Sequence, residues 1–286
     1  MNVKRDLPIG IFDSGVGGLT VYRALHAVLP NERFVYLGDT ARIPYGTKSL
    51  ATVERYAVEN SRFLDKHGVK LLVVACNTAS ALALPAIRES VTVDVIGVIE
   101  PGAHAAVSAS ALGRIGVIAT EATVQSEAYS KAIARLDRSM KVIETACPLF
   151  VSLAEEGWAD SNEARSIASS YLKEINGSDI DTLVLGCTHY PILREVIQEM
   201  VGPDVRLIDS GEAAALYVST LLETKDLARA ASAQKVRERK LCDDLDHFYV
   251  TDAAARFARV AEMFLGSAPS VLEAIEIWGD DELRSK

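Results

Sequence analysis

Strand-length apolar runs alternate with stretches of helical periodicity along most of this 286-residue chain. The runs are continuously apolar rather than alternating, which indicates burial on both faces of a sheet. Parallel strands covered by helices on both sides meet that requirement, so the sequence predicts a doubly wound α/β fold. The predicted strands are 8–12, 33–37, 70–75, 93–99, 114–119, 140–145, 181–186 and 204–208. The predicted helices are 17–29, 49–67, 79–90, 101–111, 123–136, 162–176 and 191–201.

The predicted strands recur in pairs at a nearly constant spacing. IGIFDSG at 9–15 resembles IGVIATE at 115–121, and Cys76 recurs as Cys187, 111 residues later. Two more strand units keep the same order and almost the same offset. This regularity favours an internal duplication of an α/β unit of about 100 residues, giving two similar, mostly parallel domains with a cleft between them. The alternative is a chance likeness between strand–helix units, which any doubly wound protein contains.

The segment after the second repeat has a pattern of its own. Residues 212–223 predict a helix, and HFYVTD at 247–252 predicts one more strand. Residues 254–266 predict an amphipathic helix that ends at Gly266. The intervening segment 225–240 is polar and matches no regular element.

The late strand determines how we divide the chain into domains. A strand that arrives after the second repeat is most simply added to the edge of the first sheet. We therefore predict that residues 1–98 and 211–286 form the first α/β domain. Residues 99–210 form the second domain in this prediction.

Composition excludes several classes of protein. A net charge of −9 provides no basic surface for nucleic acid. The four cysteines are too widely spaced for a small disulfide-stapled fold, and no Cys-x-x-Cys pair is present. The N-terminal apolar stretch is too short for a signal sequence, and no run approaches the roughly 18 residues of a membrane span. We expect a cytoplasmic protein without nucleic-acid or membrane partners.

Polar side chains follow the predicted strands at the places where open α/β sheets bind ligands. If the two domains face each other, these side chains line a single cleft. They are Asp13, Ser14, Gly15, Asp39, Thr40, Cys76, Asn77, Thr78, Thr120, Cys187, Thr188 and His189.

Each of the two matched cysteines precedes a predicted helix start. Unpaired backbone N–H groups and the helix dipole attract anions there, and they lower the pKa of a nearby thiol. Cys76 and Cys187 are therefore candidates for two proton-transferring groups on either side of a substrate. Alternatively, Asn77 and Thr188 are only helix caps, and the cysteines are small buried hydrophobic residues.

Asp13 and His189 are candidate partners of the two thiols. Asp13 ends a buried strand and is either a turn residue or a carboxylate that accepts a thiol proton. His189 is either a packed residue or an imidazole that supports Cys187. The glycines after Asp13 do not form the G-x-G-x-x-G dinucleotide fingerprint, which argues against a nicotinamide cofactor. Cys187 and His189 are too few to hold zinc, so we expect no metal.

Several further residues have both a functional and a structural interpretation. Tyr45 and Gly46 lie in a polar loop, which carries function more often than packing, although a plain surface turn is the alternative. Cys147 and Cys242 have no helix start behind them and are predicted to be inert. The Glu155-Glu156 pair before a glycine predicts a solvated helix end, although one of the two could line the cleft.

The motifs together resemble the glutamate racemases of the aspartate/glutamate racemase family. The resemblance spans both predicted domains and continues into the FYVTD segment near the C-terminus. It is carried by FDSGVGGLTV, GDTARIPYG, ACNTASA, GVIEP and GCTHYP in this order. It implies interconversion of L- and D-glutamate without a cofactor, and a role in supplying D-glutamate for peptidoglycan.

The resemblance also implies roles for individual residues. Cys76 acts on D-glutamate with help from Asp13, and Cys187 acts on L-glutamate with help from His189. The implied substrate-binding residues are Asp13, Ser14, Tyr45, Gly46, Asn77, Thr78, Thr120, Thr188 and His189. A homodimer is implied as well.

Three alternatives to glutamate racemisation stay open from the sequence alone. The first is a racemase of aspartate or another amino acid, which differs only in the walls of the pocket. The second is a binding or regulatory protein that uses the same cleft without turnover. The third is a thiol redox protein in which Cys76 and Cys187 form a disulfide.

Overall fold

The computed structural model describes residues 3–230 and 239–277. Its ten strands are β1 (Ile9–Asp13), β2 (Phe34–Gly38), β3 (Leu71–Val74), β4 (Asp94–Gly97), β5 (Arg114–Ala119), β6 (Lys141–Ala146), β7 (Thr182–Gly186), β8 (Arg206–Asp209), β9 (His247–Val250) and β10 (Leu272–Ala274). The helices are α1 (Leu19–Val28), α2 (Leu50–Lys66), α3 (Asn77–Leu82), α4 (Leu84–Ser90), α5 (Ile99–Ala109), α6 (Glu121–Ser126), α7 (Ala128–Leu136), α8 (Leu149–Glu155), α9 (Asn162–Tyr171), α10 (Lys173–Asn176), α11 (Arg194–Val201), α12 (Ser210–Thr224) and α13 (Ala254–Leu265). Short 3₁₀ helices cover Val3–Asp6, Thr40–Arg42, Tyr45–Thr47 and Tyr190–Leu193.

The strands form two parallel sheets with matching topology. The first has six strands in the order β10-β9-β2-β1-β3-β4, and the second has four in the order β6-β5-β7-β8. The first four strands of the chain and the next four are therefore arranged in the same spatial order. This confirms the predicted pair of similar, doubly wound α/β units.

Burial of the central strands explains their continuous hydrophobicity. Every residue of β1 is buried. Ile9 and Ile11 pack into one hydrophobic cluster, whereas Phe12 packs into another on the opposite face. Successive side chains of a strand point to opposite faces, so both faces of this sheet are covered.

The late part of the chain extends the first sheet. Strand β9 pairs in parallel with β2, and β10 pairs with β9. The short strand β10 was not predicted, because Leu-Glu-Ala has no apolar run. Helix α13 ends at Gly266, whose φ of 74° is left-handed, as predicted for a glycine C-cap. The division into domains stays a prediction, and residues 231–238 of the polar segment lie outside the described residues.

Three predicted helices are each split into two. The stretch 79–90 breaks at Ala83, the stretch 123–136 breaks at Glu127, and the stretch 162–176 breaks at Leu172. Glu127 adopts a left-handed φ of 54°, a conformation that its residue type does not signal. Across residues 3–230 and 239–277, no helix is both long and apolar enough to cross a membrane.

Candidate active site

A cavity of about 260 Å³ lies where the carboxyl ends of the two sheets face each other. In each sheet the strand order reverses direction between two central strands, β1 and β3 in the first and β5 and β7 in the second. Such switch points are where open α/β sheets bind ligands. The cavity is lined by Ser14, Gly15, Ile43, Pro44, Tyr45, Gly46, Cys76, Asn77, Thr78, Thr120, Val151, Ser152, Glu155, Cys187, Thr188, His189 and Arg256.

The cavity brings together nearly all the side chains predicted from the sequence. Cys76 from the first unit and Cys187 from the second both line it, and they are 5% and 6% exposed. Both sulfurs are thus held, nearly buried, in the wall of one cavity. Three of the side chains predicted to line the cleft, Asp13, Asp39 and Thr40, do not line the cavity, and Asp13 is fully buried behind its wall.

Cys76 is held in a hydrogen-bonded position at the start of α3. Its thiol donates to Ser14 Oγ at 3.4 Å, and its sulfur accepts from the backbone N–H of Ala79 at 3.5 Å. Burial, followed by the negative charge of Asp13, raises the pKa of Cys76 to about 12. The expected lowering of this pKa by the helix start is therefore wrong, because desolvation outweighs the single backbone N–H.

Asp13 is a fully buried carboxyl group with one unused oxygen. Its Oδ2 accepts from the backbone N–H of Gly15 at 2.9 Å. Its Oδ1 has no hydrogen-bond partner among residues 3–230 and 239–277. Burial raises the pKa of Asp13, against the lowering effect of the His189 charge. A buried carboxylate with a free oxygen and a raised pKa is a better proton acceptor than an ordinary aspartate.

Cys187 is followed by a turn and not by the predicted helix. Tyr190 N and Ile192 N donate to the carbonyls of Cys187 and His189 in i→i+3 bonds of 3.1 Å. Pro191 has no backbone N–H to donate, which favours this tighter 3₁₀ geometry, and α11 begins only at Arg194.

His189 is held between Cys187 and a carboxylate. Its Nδ1 lies 3.8 Å from Cys187 Sγ, and its Nε2 lies 3.0 Å from Glu155 Oε1. Burial alone lowers the pKa of His189, but its hydrogen bonds to Cys187 and Glu155 outweigh burial and raise that pKa to about 10. His189 therefore carries a proton at neutral pH and can hand it to the adjacent sulfur.

Glu155 and Arg256 complete this side of the cavity. Arg256 Nη2 lies 2.9 Å from Glu155 Oε2. Burial alone raises the pKa of Glu155, but His189 and Arg256 lower it below its ordinary value. Glu155 is only 13% exposed, so a solvated helix end was the wrong interpretation for this residue. Arg256 comes from α13 and was not foreseen, since nothing in its local sequence marks it.

The loop after β2 forms the opposite wall through a buried polar network. Tyr45 donates its hydroxyl to Asp39, and Asn60 donates to Asp39 Oδ2 at 3.0 Å. Arg42 pairs with the same carboxylate at 2.8 Å. Because the Tyr45 hydroxyl is already engaged, a ligand at Tyr45-Gly46 would be met by backbone groups.

Three hydroxyl groups meet across the boundary between the two units. Thr120 Oγ1 lies 3.0 Å from Thr78 Oγ1 and 3.0 Å from Thr123 Oγ1. Gly46 also packs against Thr120, since a Cβ at Gly46 would lie 2.8 Å from Thr120 Cβ. Thr120 therefore ties two loops of the first unit to the second unit.

Gly17 allows the two units to approach each other beside His189. A Cβ at Gly17 would lie 2.2 Å from Thr188 Oγ1 and 2.5 Å from His189 Nδ1. We expect Gly17→Ala to destabilise the fold by about 1–3 kcal/mol, the usual range for overpacking, and to lower activity by displacing His189. Urea unfolding measures the first effect, and initial rates measure the second.

Gly177→Ala is the matched control for that substitution. Its added Cβ would meet nothing closer than the Glu174 carbonyl oxygen at 3.6 Å, an ordinary contact. Equal stability and activity in the two variants would show that the space at Gly17 is not required.

Glu155→Gln tests the charge state of His189. Removing the carboxylate takes away a hydrogen bond and a negative charge that raise the pKa of His189. We expect this pKa to fall from about 10 toward the ordinary 6.5. The upper limit of the pH–activity profile should move to lower pH with it. An NMR titration of the His189 ring, assigned with a His189→Gln variant, measures the shift directly.

Glu156→Gln provides the comparison for Glu155. Glu156 is the neighbour of Glu155 in the chain, and its carboxylate lies 3.5 Å from Arg256 Nη2. Its replacement should leave the His189 titration in place. An unchanged titration in Glu155→Gln as well would contradict the assigned pairing.

The remaining two cysteines lie outside the cavity. Burial raises the pKa of Cys147 to about 12 and that of Cys242 to about 11. All four cysteines are free thiols. Within the described residues, no three His, Cys, Asp or Glu side chains are grouped as they would be to hold a metal ion.

Comparison with known proteins defines the class to which this fold and site belong. A profile described as Asp/Glu/Hydantoin racemase matches residues 9–218. A glutamate racemase from Geobacter metallireducens is 50% identical over 258 residues, which cover 90% of this chain and 92% of that protein. One from Chlorobaculum tepidum is 48% identical over 266 residues, covering 93% of this chain and 94% of its own.

Solved structures agree with the sequence comparison. A glutamate racemase isoform from Bacillus anthracis superposes with a TM-score of 0.88 at 38% identity, covering 96% of this chain and 98% of its own. The Francisella tularensis glutamate racemase, solved in complex with D-glutamate, has a TM-score of 0.85 at 39% identity with the same coverage.

These similarities, together with the paired parallel sheets, define an amino-acid racemase. The chain belongs to the Asp/Glu/Hydantoin racemase family, which confirms the resemblance drawn from its motifs.

Proposed function

We propose that this chain interconverts L- and D-glutamate by a two-base mechanism in which Cys76 and Cys187 are the bases. The observation that carries the proposal is the placement of two nearly buried sulfurs, one from each unit, at a single cavity. Glutamate as the substrate is supported by the names of relatives such as the Geobacter metallireducens glutamate racemase, which is 50% identical to this chain.

The proposed reaction moves one proton on each face of the α-carbon. In the L-to-D direction, the Cys187 thiolate takes the α-proton, which leaves a carbanion and a neutral thiol. The Cys76 thiol then donates its proton to the opposite face, which gives D-glutamate and a Cys76 thiolate. The reverse direction exchanges the two roles, and solvent restores the starting protonation.

The protonation states of the free site suit the L-to-D direction. Cys76 has a pKa of about 12, so it is present as the thiol that this direction requires as its acid. Asp13, with its unpaired oxygen and raised pKa, would accept the Cys76 proton when the D-enantiomer is the substrate. His189 would exchange a proton with Cys187 across their 3.8 Å contact.

Binding of the substrate is assigned to the polar lining of the cavity. Hydroxyl, amide and backbone N–H groups, together with the His189 ring, would hold the two carboxylates and the ammonium group. Preorganised donors of this kind stabilise charge that develops in the transition state. The residues assigned to this task are Ser14, Tyr45, Gly46, Asn77, Thr78, Thr120, Thr188 and His189, with Asp13 behind them.

The wider biological setting follows from the family resemblance. We propose that the D-glutamate is used for peptidoglycan, that the protein is cytoplasmic and that it forms a homodimer. The proposed reaction needs no added cofactor, since the two sulfurs perform both proton transfers.

Proton exchange in deuterium oxide tests the proposed function. With L-glutamate as substrate, the D-glutamate formed early should carry deuterium at Cα while the remaining L-glutamate stays largely protonated. Aspartate and other amino acids, run in parallel, test the substrate assignment. Faster turnover of one of them would reassign the substrate, and no exchange with any of them would refute the racemase mechanism.

A further inference from the structure

We infer that two buried side chains outside the cavity, Tyr129 and Ser210, act as positioning residues that fix the spacing of the two cysteine sulfurs. The inference rests on the proposed function, because spacing matters only if both sulfurs act on one carbon. It is carried by a set of contacts that join two segments, which we call the cysteine loops: Cys76-Asn77 at the start of α3, and Leu185-Gly186-Cys187 at the end of β7.

Tyr129 contacts both cysteine loops at once. It lies on α7 and is fully buried. Its hydroxyl donates to Asn77 Oδ1 at 2.7 Å, and Asn77 directly follows Cys76. Its ring packs on Gly186, which directly precedes Cys187, and a Cβ at Gly186 would lie 3.0 Å from Tyr129 Cε2. One rigid side chain therefore spans from one cysteine loop to the other.

Ser210 provides a second connection between the same two loops. Asn77 Nδ2 donates to Ser210 Oγ at 3.4 Å. Ser210 Oγ in turn donates to the carbonyl of Leu185 at 3.1 Å, two residues before Cys187. Ser210 opens α12 and is 2% exposed, so water does not compete for these bonds.

Both ends of the Asn77 side-chain amide are engaged by this connection. Oδ1 accepts from Tyr129, and Nδ2 donates to Ser210. The first turn of α3 is thus held in place from the second unit. A ligand contact at Asn77 is left to its backbone N–H or to the second hydrogen of Nδ2.

Fixed spacing matters because the sulfurs must face opposite sides of one carbon. Proton transfer requires near-attack distances on each side, and a misplacement of about 1 Å can reduce a rate by about 10²-fold. A sulfur held only by its own loop would move when the two units shift relative to each other. The Tyr129 and Ser210 contacts oppose that movement.

Tyr129→Phe removes one hydroxyl and keeps the ring. We expect kcat to fall about tenfold or more with KM changed less than about twofold, because proton transfer and not binding is affected. Since the two enantiomers have equal free energies, kcat/KM must fall equally in both directions. Ser210→Ala should also lower kcat. The double variant should lower kcat by less than the product of the two single fold-reductions, because both hydrogen bonds hold Asn77.

Tyr22→Phe is the matched control for loss of a buried tyrosine hydroxyl. Tyr22 is fully buried and donates to Asp246 Oδ2 at 2.8 Å, away from both cysteine loops. The Tyr22→Phe substitution should lower the melting temperature without changing kcat. A kcat for Tyr129→Phe equal to that of Tyr22→Phe would overturn the inference. Should Tyr129→Phe fail to fold, Ser210→Ala is judged by the same criterion.

A cross-linking measurement separates this inference from the proposed function. Bivalent thiol reagents of increasing length, which join Cys76 to Cys187, report sulfur spacing without any turnover. A narrow length preference in the native protein and in Tyr22→Phe, broadened in Tyr129→Phe, supports positioning. The same preference in all three overturns it, even if the native protein racemises glutamate. An inactive native protein whose length preference still broadens in Tyr129→Phe would refute only the proposed function.

Discussion

Replacing Cys76 or Cys187 with serine is expected to reduce racemisation by about 10²- to 10⁴-fold, the range that general acid–base groups contribute. A serine hydroxyl is far less acidic than a thiol and cannot supply the base. Each variant should keep the chemistry of its remaining sulfur. In deuterium oxide, Cys76→Ser should exchange the α-proton of L-glutamate only, and Cys187→Ser that of D-glutamate only. NMR of the recovered enantiomers measures both.

Cys242→Ser is the matched control for these substitutions. Cys242 is 1% exposed and lies outside the cavity. The Cys242→Ser variant should racemise glutamate at the native rate. Exchange of both enantiomers by either single active-site variant would contradict the assignment of one sulfur to each face.

Replacing Asp13 with asparagine should change two properties in opposite directions. Racemisation is expected to fall by about 10²-fold, because the acceptor for the Cys76 proton is lost. The Asp13 charge raises the pKa of Cys76, so this pKa should fall in the variant. Alkylation of Cys76 by iodoacetamide, followed by mass spectrometry, should therefore become faster while catalysis becomes slower.

Asp246→Asn removes another buried carboxyl whose pKa is raised by burial. Asp246 accepts from Tyr22 and the backbone N–H of Phe34, outside the cavity. We expect the Asp246→Asn substitution to lower the stability of the fold but to leave the alkylation rate of Cys76 unchanged. Slower alkylation of Cys76 in Asp13→Asn would contradict the electrostatic coupling of the two groups.

The sequence was sufficient for features that depend on local pattern and repetition. Continuous apolar runs identified β1 to β8. Their recurrence predicted two similar units, and the two sheets do share one strand order for those eight strands. Both cysteines follow such strands directly. They were therefore predicted to line one cleft, because the topology brings the carboxyl ends of the strands together.

Features that depend on contacts between distant segments were missed. Glu155 has the local pattern of a solvated helix end, and the sequence left open whether it or Glu156 lines the cleft. The approach of His189 and Arg256 is what makes Glu155 part of the site. The pKa of Cys76 was misjudged because a helix start is visible in the sequence, whereas full burial beside Asp13 is not. The break at Glu127 has no glycine or proline to signal it.

The way β9 joins the first sheet has a consequence for biosynthesis. Val35 pairs with His247, more than two hundred residues later, whereas the strands of the second sheet all lie between Arg114 and Asp209. Because chains emerge from the ribosome N-terminus first, the inner unit can close before the outer one. Arg256 follows β9 in the chain, so it can join the Glu155–His189 pair only after β9 has emerged.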